Sequence, residues 1–191
     1  MADYLGPWAQ LIKALKYHQK LSLMPAVADL LVRRLQAEST VDETWQHWQV
    51  TGMPMHRGRY RQRGYNQAEI LGRLIAKGLQ TGYAEPAKRV RNTRALEDLT
   101  RQERAAAVKG AFSSHSIRGN WLIVDDVFTT GASVNELARV LRAAGAQRVS
   151  VAALARTPVS GDNQDNWLGL VFGDTPVVTD ETNNPPQNAS M

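Results

Sequence analysis

Apolar residues recur at helical spacing in three stretches of this chain. Trp8, Leu11, Ile12 and Leu15 share one face of a helix predicted over residues 7–19, and Val27, Leu30, Leu31 and Leu35 form a second stripe after Pro25. Asn66 with Glu69 three residues on makes a capping-box start, because Asn accepts from the free N–H groups of a first turn and Glu returns the bond. Ile70, Leu71, Leu74 and Ile75 continue that helix. A strand is predicted over 47–55, ending at Pro54, after a polar stretch at 38–43. Beyond a short basic segment, 88–94, Thr100 and Glu103 repeat the capping box and open a helix through about Val108.

The sharpest unit follows. Residues 121–124 are an apolar run (Trp-Leu-Ile-Val), then come two acids, a small-residue turn, a helix from about Ala132 to Ala144 stopped by Gly145, and a second apolar run at 149–154. Strand, helix, strand at that spacing is a βαβ unit and implies a parallel sheet. The expected fold class is therefore α/β, a central mostly parallel sheet flanked by helices, with the N-terminal helices covering one side or forming a small hood. One domain is expected over 1–158. Residues 159–191, rich in Asp, Asn, Thr, Pro and Gly, read as a loosely held tail.

Charge sharpens the picture. The tail holds five acids and no Lys or Arg, so residues 1–158 set all 23 basic side chains against 13 acids. A body that basic selects anionic partners, phosphorylated metabolites or nucleic acid. The chain has no Cys, which removes disulfides, thiolate zinc sites and cysteine nucleophiles. No Walker loop, dinucleotide glycine fingerprint or HExxH motif occurs. No leader pattern or apolar run of membrane-spanning length is present, so a cytoplasmic protein without membrane insertion is expected.

The candidate chemistry lies where the predicted strand meets its helix, at Asp125, Asp126, Val127, Phe128, Thr129, Thr130, Gly131, Ala132 and Ser133. In open α/β sheets ligands bind beyond the strand ends. The helix start offers N–H groups and a positive dipole end, and Thr129, Thr130 and Ser133 add hydroxyl donors, which together suit a phosphate monoester. Two carboxylates would repel that phosphate. They suit instead the adjacent hydroxyls of a ribose, so a sugar 5-phosphate with a free diol satisfies both halves.

This run resembles, at every position, the 5-phosphoribosyl-1-pyrophosphate (PRPP) signature of type I phosphoribosyltransferases. Further stretches, including Tyr4 to Pro7, Pro54-Met55-His56, Arg63-Gly64-Tyr65-Asn66-Gln67-Ala68, 100–112 and Ala153 to Arg156, resemble the ComF/GntX family in the same order. The resemblance implies PRPP binding by Asp125, Asp126, Val127, Thr129, Thr130, Gly131, Ala132 and Ser133. Asp125 and Asp126 would steady the sugar in catalysis, and Mg²⁺ would accompany the pyrophosphate. It implies a link to competence, DNA uptake or use of external DNA, with single-stranded DNA or competence-machinery proteins as further partners. Two other readings stay open: a nucleobase salvage transferase, and a catalytically silent module that binds single-stranded DNA or a partner.

The family's N-terminal four-cysteine zinc ribbon is absent, so no zinc is expected. Leu96 and Ala107 replace an expected Gln and Asn, departures that bear on turnover more than on binding. Arg57, Arg59, Arg61 and Arg63, interleaved with Tyr60 and Tyr65, read as a basic loop for pyrophosphate, for a nucleic-acid backbone or simply for solvent. His56, Arg61, Arg63, Arg91 and Arg101 are the anion candidates, with Arg94 and Arg104 flanking the place of a mobile loop in relatives.

Overall fold

A computed structural model describes residues 2–3, 10, 21–38, 45–92, 101–128 and 130–156. The predicted helix over 7–19 (apart from Gln10), the tail and Thr129 lie outside these residues. Five parallel strands form one sheet: β1 (Ala2–Asp3), β2 (Trp48–Gly52), β3 (Gly82–Tyr83), β6 (Asn120–Phe128) and β7 (Arg148–Arg156), in the order β1-β7-β6-β2-β3. A separate antiparallel pair joins β4 (Ala87–Arg89) to β5 (Phe112–Ser114). Five helices are described: α1 (Met24–Glu38), α2 (Arg57–Arg63), α3 (Gln67–Gly78), α4 (Arg101–Val108) and α5 (Ala132–Ala143).

The period-two geometry of β6 divides the core. Leu122 and Val124 join Val50, Leu71, Ile75, Leu31 and Leu35 beneath α1 and α3, whereas Trp121 and Ile123 join Val134, Leu137, Leu141 and Phe112 beneath α4 and α5. Both faces of the sheet are therefore covered, as parallel sheets require. From β2 the chain passes through α2 and α3 to β3 on one side, and from β6 through α5 to β7 on the other. The strand order thus reverses between β2 and β6, and a crevice opens beyond their carboxyl ends at that switch point.

The helix and strand expected over 132–144 and 149–154 are observed as α5 and β7, and α3 begins at the expected Asn66. Several expectations are corrected. Leu30 is exposed, while Val27, Leu31 and Leu35 face the core. The Arg-rich segment after β2 is a helix, α2, because His56 caps it through Nδ1, which accepts from the Gly58 N–H at 3.1 Å, and Gly64 closes it at φ 83°. The basic segment at 88–94 begins as a strand, paired with β5. β6 runs on past Val124 to Phe128, so both acids lie within the strand.

The start of α3 sits unusually close to the end of β2. A β-carbon added at Gly52 would stand 2.6 Å from the Ala68 carbonyl carbon and oxygen. Asn66 ties the two together: Oδ1 accepts from the Ala68 N–H at 3.2 Å and Nδ2 donates to the Met53 carbonyl at 3.1 Å.

Candidate functional site

The turn from β6 into α5 is built around Gly131. Its φ of 75° lies in the left-handed region, and the Phe128 ring lies across it, 2.6 Å from where a β-carbon would be. Gly131 is also the N-cap of α5, and among the described residues no side chain caps that helix. The first-turn N–H groups of Ala132 and Ser133 consequently receive no side-chain cap, and the half-buried Thr130 and Ser133 hydroxyls stand beside them. A helix start in this state presents N–H groups and the positive end of a dipole to an anion.

Asp125 and Asp126 precede this turn, but they do not point the same way. Asp125 continues the Ile123 face, opposite Ala153 in register, and Asp126 continues the Val124 face. The Asp125 carboxylate accepts from the Asp126 backbone N–H at 2.9 Å. On the Asp125 face, β4 brings up Arg89. Burial, with Arg59 of α2 nearby, holds the Arg89 guanidinium below the ordinary arginine range, against the opposing pull of Asp125. The Phe112 ring, 5.4 Å from the guanidinium, backs it from β5.

Beyond the end of β2 lies an open cavity of about 800 Å³. Met55, His56, Arg57, Tyr60 and Arg61 form one wall, Lys88 and Arg89 another, and Glu69, Arg73, Tyr83 and Glu85 a third. In the third wall the Arg73 guanidinium lies 4.3 Å over the Tyr83 ring and bonds both Glu69 and Glu85 at 3.1 Å. Burial foremost, then Glu85, pushes the Tyr83 phenol well above its ordinary pKa. The β6–α5 turn does not line this cavity. The two adjoin through Gly52, paired with Val124, and through Arg89 beside Asp125.

Of the anion candidates, His56 and Arg61 line the cavity, and His56 is at the same time the α2 cap. Arg63 turns instead to the Gln67 side chain, to which its Nη1 donates at 3.1 Å, and Arg91 donates to the Lys109 carbonyl at 2.8 Å. The side chain of Arg101 and the whole of Thr129 and Arg94 lie outside the described residues. Lys88 and Arg89 were not singled out from the sequence, although the basic run at 88–94 contained them. Among the described residues no helix is long and apolar enough to cross a membrane.

The sequence also matches known proteins. The phosphoribosyl transferase domain family matches residues 68–182, running past the Pro158 boundary. Competence protein F of Haemophilus influenzae is 28% identical over 162 residues, covering 82% of this chain and 71% of that protein. DNA utilization protein YhgH of Escherichia coli K12 is 30% identical over 160 residues, covering 82% of this chain and 70% of that one. Among solved structures, the glutamine PRPP amidotransferase from B. subtilis complexed with ADP and GMP aligns with 68% of this chain at 20% identity and a TM-score of 0.42, the match spanning 26% of that chain.

Proposed function

Since the chain belongs to the phosphoribosyl transferase domain family, alongside competence protein F and DNA utilization protein YhgH, we propose that it binds PRPP across the β2–β6 crevice and serves the handling of DNA in competence or DNA utilization. The uncapped start of α5 carries the reading: a twelve-residue helix led by Gly131 in the left-handed conformation, one turn of chain beyond the strand that holds the two acids. Phosphate would rest on the N–H groups of Ala132 and Ser133 and on the Thr130, Ser133 and Thr129 hydroxyls, with Val127 in the backbone leading to them. Asp125 and Asp126 would accept from the ribose hydroxyls.

The pyrophosphate would extend toward β2 and the cavity. There Arg57, Arg61, Lys88 and Arg89 supply charge and His56 a ring nitrogen, while Arg63, Arg91 and Arg101 remain candidates from the sequence alone. Cations at that end would stabilise negative charge gathering on a departing pyrophosphate. Asp125 and Asp126, on the two faces of the strand, would steady the ribose as its C1 bond loosens.

Magnesium fits as a companion of the ligand. Among the described residues no three His, Asp or Glu side chains gather into a cage, and one or two carboxylates with ligand phosphates are the set magnesium ordinarily uses. Bound through Asp125 or Asp126, it would neutralise pyrophosphate charge.

Thermal unfolding with PRPP and Mg²⁺ tests the reading. Ligand at 100 times its dissociation constant should add about 2.7 kcal/mol of stability, and the gain should vanish when Asp125→Asn and Asp126→Asn are combined. No gain in the parent at millimolar PRPP would refute it.

One observation favours single-stranded DNA as an additional partner. Tyr60 is 45% exposed on a helix that also carries Arg57, Arg59 and Arg61, the pairing of a stacking ring with backbone-neutralising cations. Arg57→Glu with Arg61→Glu should abolish salt-sensitive DNA binding, and binding that survives both reversals would refute this part.

A further inference from the structure

We infer that Gln67 is a ligand-contacting residue, its side-chain amide nitrogen donating to an oxygen of the phosphoribosyl ligand on the α3 side of the sheet, beside Asp126. The inference rests on the PRPP reading above and adds a contact to it.

The observation is an orphaned donor. Gln67 is 2% exposed, and its Nε2 has no hydrogen-bond partner among the described residues. Buried amide groups are ordinarily paired, so an exception calls for a cause. A flipped amide offers no escape. Arg63 Nη1 donates to Gln67 Oε1 at 3.1 Å, and turning the amide over would set donor against donor. Arg63 thus fixes the oxygen and leaves the nitrogen pointing elsewhere.

The neighbouring residue shows the contrast. Asn66 carries the same functional group one position earlier, and both of its ends are engaged within the protein, by Ala68 and Met53. Gln67 is held at one end only. The Arg63 bond accounts for the amide oxygen, but nothing among the described residues accounts for the buried nitrogen.

Position says where the nitrogen is spent. Leu71 shares a cluster with Val124. Gln67 lies four residues earlier in α3, about 6 Å toward the carboxyl ends of the strands, and Asp126 lies two residues past Val124 on the same face, about 6.6 Å in the same direction. The close approach of Ala68 to Gly52 holds the start of α3 down on the strand ends. Gln67 and Asp126 therefore flank the crevice on one face, while Asp125 and Arg89 flank it on the other. Asp126 accepts and Gln67 donates, which suits a sugar or phosphate group bearing both hydroxyls and acceptor oxygens.

Calorimetric titration with PRPP and Mg²⁺, together with unfolding of the ligand-free protein, tests this in Gln67→Met and Gln67→Glu. Gln67→Met keeps length and removes the donor. It also removes the acceptor of Arg63, so ligand-free stability should fall slightly at most, while PRPP should bind about tenfold more weakly. Gln67→Glu keeps the Arg63 bond and places a carboxylate against the ligand, so it should weaken PRPP further and provides the readout if the methionine variant does not fold. Unchanged PRPP affinity in either variant, beside a parent that binds, overturns the Gln67 assignment and leaves the PRPP reading standing. Loss of ligand-free stability with affinity retained also overturns it, by showing a structural role. A parent that does not bind PRPP overturns both.

Discussion

Asp125 and Asp126, adjacent in sequence, stand on opposite faces of the five-stranded sheet, Asp125 on the Ile123 face with Arg89 near it, Asp126 on the Val124 face. The pair is therefore two separate contacts with separate surroundings. Combining Asp125→Asn with Arg89→Met should show a coupling on the order of 1 kcal/mol in urea unfolding, whereas Asp126→Asn with Arg89→Met should add to within about 0.5 kcal/mol. Equal couplings would show that the two acids share one environment.

Gly131 meets two demands at once, a φ of 75° and a ring lying where a β-carbon would be. Gly131→Ala should cost about 1–3 kcal/mol in chemical denaturation. It should also weaken PRPP, because the first turn of α5 must shift. Phe128→Leu in that background should recover part of the loss, leaving the backbone contribution behind.

Gly52 is a matter of space rather than φ. An alanine there would press on the Ala68 backbone, which is less able to yield than a side chain, so Gly52→Ala should destabilise by about 1–3 kcal/mol. As Ala68 follows Gln67, the same variant should bind PRPP less tightly than its stability loss alone explains, measured at a temperature where both proteins are folded.

Glu136 fastens α5 to the turn after α4. Its Oε1 accepts from the Gly110 N–H at 2.7 Å, and Arg139 reaches both carboxylate oxygens at 2.8 and 2.9 Å. The Arg139 hydrogen bonds, foremost, hold the Glu136 carboxyl below its ordinary pKa. A depressed carboxylate stabilises the fold above the unfolded-state pKa, near 4.3 for glutamate, and that contribution is lost as pH falls through the lower folded value. Glu136→Gln should thus cost about 1–2 kcal/mol at pH 7, and the difference from the parent should shrink below pH 4 in a pH series of melting curves.

The β6–α5–β7 unit was legible because each part has a local signature: an apolar run, paired acids, a small-residue turn and a helical stripe closed by Gly145. The extension of β6 was less so. Acids read as the end of a strand, yet Val127 and Phe128 carry the pairing with β7 onward to Arg156. Helix α2 escaped notice because arginines at every second position mimic a loop or strand pattern. What makes it helical is the His56 cap in front and Gly64 behind.

Strands β4 and β5, three residues each, are too short to show a period, and each is defined by a partner distant in sequence. Arg89 was hidden for the same reason. Its partners, Phe112 and Asp125, are brought to it only by the fold. Likewise, the unpaired half of Gln67 becomes visible only once Arg63 is seen to hold the other half.

The reversal of strand order between β2 and β6 also bears on how the molecule comes together. β6, α5 and β7 are contiguous and can organise through near-neighbour contacts, cradle included. The crevice has no such local existence: its second wall arrives only when Trp48–Gly52 pairs with residues 120–124, closing a long loop whose entropic cost must be met before the contacts repay it. The β6–α5 turn is thus set by local sequence, whereas the crevice beside it is set by a pairing between strands distant in the chain.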